Sequence, residues 1–189
     1  MRREGSRRGL SRPETVFLLG AVTFIAAVVV PGLFMLREHR RFEMARGDLR
    51  ALVAAARTYY AEYGAWPTSL SGGLEDVRYG SDVPNCEVIN VLRAQDAPGN
   101  LGHRVNTRKV SFLEVPEYRP GWSGLDRDGS LLDPWGRPYQ VLLDASLDNV
   151  CRSPTTVYGR REGEGIMAWS CGPDGESDTR DDLRSWEDG

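Results

Sequence analysis

Residues 15–36 read TVFLLGAVTFIAAVVVPGLFML, twenty-two positions without one ionisable side chain. At about 1.5 Å of rise per residue, a helix of that length reaches roughly 33 Å, enough to cross the roughly 30 Å hydrocarbon core of a bilayer. A cleaved secretory signal has a shorter apolar core, about 7 to 15 residues, closed by a small-residue cleavage site. Here residues 31–36 carry the run straight into charge, the pattern of a retained anchor. Arginines flank the run on both sides, Arg12 before it and Arg37, Arg40 and Arg41 after it, so flanking charge alone does not orient it. The denser cluster of Arg2, Arg3, Arg7 and Arg8 at the very start favours a cytoplasmic head and an exported body.

Beyond the run, residues 37–63 continue in helical rhythm. Phe42, Ala45, Leu49, Leu52, Val53, Ala56, Tyr59, Tyr60 and Tyr63 recur at steps of three and four, one stripe of a helix. Gly64 supplies a C-cap and Pro67 opposes continuation. Pro31 removes a backbone hydrogen bond, and Gly47 costs about 1 kcal/mol relative to alanine. The expectation is one helix of about 50 residues, roughly 75 Å, kinked near Pro31, half apolar throughout and half packed on a domain.

The remainder changes rhythm. A short helix is expected within residues 68–77 and another over residues 86–93, with a loop at 98–103. Val110, Phe112 and Val115 give at best a short strand. The firmest signal is residues 131–143, LLDPWGRPYQVLL, two apolar runs about a proline and glycine turn, read as a hairpin; residues 166–169 are a third strand candidate. The fold class is α+β: a long N-terminal helix, half transmembrane, on a small antiparallel sheet domain with extended loops.

Whole-chain averages hide this division. The 189 residues hold 24 basic and 27 acidic side chains, net -3, at a mean hydropathy of -0.43. Residues 1–9 carry four arginines and one glutamate, so that head is +3 and the rest -6. An acidic body is no nucleic-acid profile, and no nucleic-acid partner is expected.

The N-terminus resembles that of the type IV pilin-like proteins. Their precursors have a short basic leader ending in glycine, then a hydrophobic helix with glutamate fifth and proline twenty-second. If Gly9 ends the leader and Leu10 begins the mature chain, Glu14 is fifth and Pro31 twenty-second. Leu10, Ser11, Arg12 and Pro13 depart from the usual apolar start. Asp133-Pro-Trp-Gly-Arg-Pro-Tyr139, followed by Ser170-Cys-Gly-Pro-Asp-Gly175, Asp182-Leu183 and Ser185-Trp186, is similar to the signature of the major pseudopilin of type II secretion. The resemblance implies the domains: leader 1–9, transmembrane and stem helix 10–64, periplasmic globular domain 65–189. It implies cleavage by a prepilin peptidase, methylation, and polymerisation with itself and other pseudopilins on an inner-membrane assembly platform. It also implies an anchor in membrane lipid before assembly, and Glu14 paired with the N-terminal amine of a neighbouring subunit. A charge in low dielectric needs such a partner; the residue-level alternative is a helix N-terminal charge at the headgroup boundary. Nearer rivals are a minor pilin or DNA-uptake subunit, and a more distant one is a monomeric calcium-binding module on a permanent anchor.

Residues 174–182 hold five carboxylates, Asp174, Glu176, Asp178, Asp181 and Asp182. Their mutual repulsion would be relieved by a hard divalent cation, and a solvated acidic tail is the equal alternative. Position six from Asp174 is Thr179 and position twelve Ser185, so it is no EF-hand. The resemblance implies calcium, held by Asp174 and Asp182 with Asp178, Asp181 and backbone carbonyls completing the shell. Residues 126–129, Asp-Arg-Asp-Gly, read as a plain turn. Of Cys86, Cys151 and Cys171, an exported protein is expected to pair two, Cys151 with Cys171 by preference, with the other pairings open. No nucleophile, base and orienting acid stand in a catalytic pattern, so no enzyme is expected. Trp122, Trp135, Trp169 and Trp186 are read as packing residues.

Overall fold

The structure is a computed structural model and describes residues 12–70, 75–152, 160–162 and 165–187. The chain divides into two compact units, Met1–Arg40 and Arg41–Gly189. Helix α1 spans Arg12–Tyr63 and includes Pro31. In the first unit, Val16, Phe17, Phe24, Ile25, Phe34 and Met35 are all exposed, and the most apolar 18-residue window, mean hydropathy 2.5, has none of its residues buried. Apolar side chains without a protein partner over this length are the composition of a membrane anchor. In the second unit, Ala45, Leu49, Leu52, Ala55, Ala56 and Tyr59 are buried, the stripe that the three-and-four spacing predicts. The helix stops at Gly64, whose φ of +69° suits a residue without a side chain and whose N–H donates to Tyr60 O at 2.8 Å.

Four antiparallel strands form the main sheet in the order β1-β4-β7-β8, where β1 is Val77–Tyr79, β4 Gln140–Leu143, β7 Ile166–Ser170 and β8 Leu183–Arg184. Val141 pairs with Ala168 and with Tyr79, so β4 is hydrogen-bonded on both sides. Every residue of β4 and β7 is buried, which accounts for their continuous apolar runs where a one-faced strand would alternate. Val141, Leu143, Ile166 and Ala168 join the core cluster of the α1 stripe. Leu142, Met167 and Trp169 face the other way, into a small cluster closed by Cys151, Cys171 and Trp186. Helix α2, Cys86–Leu92, forms where expected and buries six of its seven residues.

The expected hairpin at residues 131–143 is not one. β3, Leu131–Leu132, pairs with β2, Gly124–Leu125, whereas β4 joins the main sheet. A single bridge, Leu132 to Pro138, flanked by two bonds, Tyr139 N to Leu131 O at 3.1 Å and Asp133 N to Arg137 O at 2.8 Å, is what the two arms share. Pro138 has no N–H for the ladder, which limits the pairing to that one rung. Residues 126–129 are the expected turn, joining β2 to β3, with Asp126 Oδ1 accepting from the N–H groups of Asp128 and Ser130 at 2.9 and 2.8 Å. Of residues 68–77, the described ones, 68–70 and 75–77, contain no helix; Thr68 Oγ1 accepts from Leu70 N at 3.0 Å, and 71–74 lie outside the described residues. Residues 110–115 form no strand; the N–H groups of Phe112 and Leu113 both donate to Leu92 O. The remaining pair is β5, Val150–Arg152, with β6, Arg160–Glu162.

Buried asparagines hold the segment between α2 and β2. Asn106 Nδ2 donates to Val91 O at 2.8 Å and Val110 O at 2.7 Å, its N–H donates to Asn100 Oδ1, and Tyr63 of α1 donates to Asn106 Oδ1 at 2.7 Å. Asn85 Nδ2 ties β3 to the residue before β4 through Leu131 O and Tyr139 O. Trp66, two residues after the helix cap, lies against Gly165 so closely that a Cβ there would overlap the indole. Gly165→Ala is therefore expected to cost roughly 1–3 kcal/mol as an overpacked site, read as an earlier thermal melt of the full chain in detergent; an unchanged melt would mean that the ring moves aside freely.

Candidate functional site

The N-terminal site is a helix surface. Glu14 and Pro31 both lie on α1 and both are exposed, Glu14 in the first turn where a carboxylate complements the helix dipole. Gly9 and Leu10, the proposed leader junction, lie outside the described residues. Thr23, a hydroxyl within the apolar run, donates to Leu19 O at 3.0 Å, so its polar group is satisfied by its own helix.

The second site joins the 133–139 turn to the C-terminal loop. Asp133 is fully buried, and its Oδ1 accepts from Trp135 N at 3.0 Å and Arg137 N at 2.9 Å. Its Oδ2 accepts from the Ser170 hydroxyl at 2.6 Å, and Ser170 Oγ accepts from Gly172 N at 3.2 Å. One carboxylate thus fixes the turn internally and ties it to the end of β7. Burial raises the Asp133 carboxyl above its ordinary value. Tyr139 closes the other side, donating to Asp48 Oδ2 on α1 at 2.8 Å. Burial raises both Asp48 and the Tyr139 hydroxyl. The motif's conspicuous residues are thus fasteners between the packed half of α1, the sheet and the loop. Trp135 meets Phe42 edge-on at 5.1 Å.

Residues 171–187 fold the acidic segment against itself. Glu176 N donates to Asp174 Oδ1 at 2.8 Å, Thr179 N to Asp182 Oδ2 at 2.9 Å, Asp174 N to Asp181 Oδ2 at 3.2 Å, and the Thr179 hydroxyl to Asp181 Oδ1 at 2.6 Å. That hydroxyl is the main reason the Asp181 carboxyl is held below its ordinary value. Asp174 and Asp181 are brought together by these bonds, as are Thr179 and Asp182. Carboxylates and carbonyls are the right donors for calcium, and one oxygen each of Asp178 and Asp182 is sealed from solvent. Calcium takes about six to eight oxygens, however, and among the described residues no three acidic, histidine or cysteine side chains converge on a metal-sized point.

Cys151 and Cys171, the pair expected to bond, both lie in the cluster around Trp169, where Cys151 is buried and Cys171 Sγ meets Ser177 Oγ at 3.3 Å. Trp169 is buried and meets Trp186 at 6.2 Å, as packing residues should, whereas Trp122 is 49% exposed. Sequence reading missed Trp66, which is buried, and the role of Arg137 described below.

The chain is 23% identical over 183 residues to the type II secretion system core protein G of Pseudomonas aeruginosa, covering 95% of this chain and 94% of that protein. The likeness is full-length. Its N-terminal helix and C-terminal antiparallel sheet match a pilin-like α+β fold. No family model and no solved structure matches the sequence. The pilin-like resemblance thus rests on one full-length relative and on the described residues that carry the two motifs.

Proposed function

We propose that this chain is a structural subunit of a type II secretion pseudopilus. The observation that carries the reading is the exposed apolar half of α1, with Glu14 and Pro31 in pilin register, on a chain alike from end to end to a secretion core protein. In this reading a prepilin peptidase cuts between Gly9 and Leu10, and the new N-terminus is methylated. The subunit waits in the inner membrane with its globular part in the periplasm. An assembly platform then draws it into a filament with further copies and other pseudopilins, and the filament supports protein export across the outer membrane. The exposed helix surface has two apolar environments to exchange, lipid and neighbouring helices, so leaving the bilayer for the filament costs little hydrophobic free energy.

Mass spectrometry of the assembled protein tests the cleavage. The expected chain starts at Leu10; filaments built from chains that still carry residues 1–9 would refute the pilin reading and favour a permanent anchor.

A further inference from the structure

We propose that Arg137 is the cation that organises the acidic C-terminal loop, and that the loop holds its form without calcium. The guanidinium donates from Nη1 to Gly172 O at 2.6 Å and Pro173 O at 2.9 Å, and from Nη2 to Asp174 O at 3.1 Å. Three successive carbonyls turned toward one positive centre are what a backbone loop offers a bound cation, and here an arginine of the same chain occupies the place. The planar fork suits it, since its several N–H donors reach separate acceptors in fixed directions. Arg137 is itself aimed by the turn. Its N–H donates to Asp133 Oδ1 and its carbonyl accepts from Asp133 N at 2.8 Å.

The rest of the loop is consistent with an internal cation. The carboxylates of Asp174 and Asp181 and Oδ2 of Asp182 accept from the loop's own N–H and hydroxyl groups, while Arg137 takes the carbonyls of residues 172–174. Arg184 adds a bond from Nη2 to Thr179 O at 3.2 Å. Gly175 completes the seat. At φ +77° it turns the chain over the guanidinium, and a Cβ there would overlap Arg137 Nε and Cζ. A side chain at this position would have to push the guanidinium off its seat, and the positive φ favours glycine independently.

The proposal concerns the loop alone and stands apart from the filament reading. Hydrogen exchange on the full chain in detergent, with EGTA or with millimolar calcium chloride, tests it. The parent's amides at Gly175 and Thr179 are expected to be protected in EGTA and to change less than about twofold with calcium. Arg137→Gln is expected to lose that protection by about 10- to 100-fold, while the amides of β4 and β7 stay protected. Gly175→Ala, which displaces the guanidinium without removing it, is expected to lose it likewise, and serves should Arg137→Gln fail to fold. Parent amides open in EGTA and protected by calcium would overturn the proposal, as would full protection in either variant.

Discussion

Glu14→Ala is expected to enter the membrane normally and to leave no filaments, a fall of about 100-fold or more in assembled protein. Membrane entry should persist because the substitution removes a charge from the edge of an apolar run that already suffices to span. The size of the assembly defect separates the two roles open to this carboxylate. A first-turn charge on an exposed helix contributes about 0.3–1 kcal/mol through the dipole, too little to abolish a filament. A buried ion pair deprived of one member costs about 3–5 kcal/mol, because the remaining charge, here the N-terminal amine of the neighbour, is stranded in a low-dielectric interface. Filament recovery by shearing, with total membrane protein as the control, reads the difference. Normal filaments from Glu14→Ala would reduce Glu14 to a helix-end charge.

Periodicity made α1 legible from the sequence, because a stripe from Ala45 to Tyr59 and an uncharged run before it each have one physical solution. The two central strands were legible as apolar runs for a similar reason: β4 and β7 are covered on both faces. Their pairing was not. Residues 131 and 140 are near in sequence, but Pro138 at the paired position has no N–H for a ladder, and β3 pairs with β2 instead. Strands of two residues, β2, β3 and β8, are too short to show any period. The segment from 94 to 116 was opaque because side-chain amides bonded to distant carbonyls hold it together, and an asparagine in a sequence reads as a turn residue whatever it does. The acidic loop was visible as composition alone. Its counter-charge, Arg137, lies 35 residues before Gly172 in the chain, and only the fold brings it to the carbonyls.

Asp133→Ala is expected to destabilise the globular unit by roughly 3–5 kcal/mol, a loss of about 10 °C or more in melting temperature. Alanine leaves the N–H groups of Trp135 and Arg137 and the hydroxyl of Ser170 without their acceptor, each worth about 1–3 kcal/mol when stranded away from water. It also unseats Arg137, so the loop should open first. Asp133→Asn divides the effect. Its carbonyl still accepts from Trp135 and Arg137, and its amide donates to Ser170 Oγ once the hydroxyl proton turns away, so the three contacts survive with one reversed and uncharged. The pH dependence separates them further. Because burial raises the folded carboxyl above its ordinary value of about 3.9, the native state binds the Asp133 proton more tightly than the unfolded chain does. This group's contribution therefore favours folding increasingly as pH falls through the raised value, and that benefit is lost as pH rises above it. The stability difference between parent and Asp133→Asn should accordingly shift toward the parent on acidification, in thermal melts of the full chain in detergent. A difference constant from neutral pH down to about 4 would show that Asp133 is not held in a charge-penalising site, and an Asp133→Ala chain melting with the parent would show that the clasp does not hold the turn to the sheet.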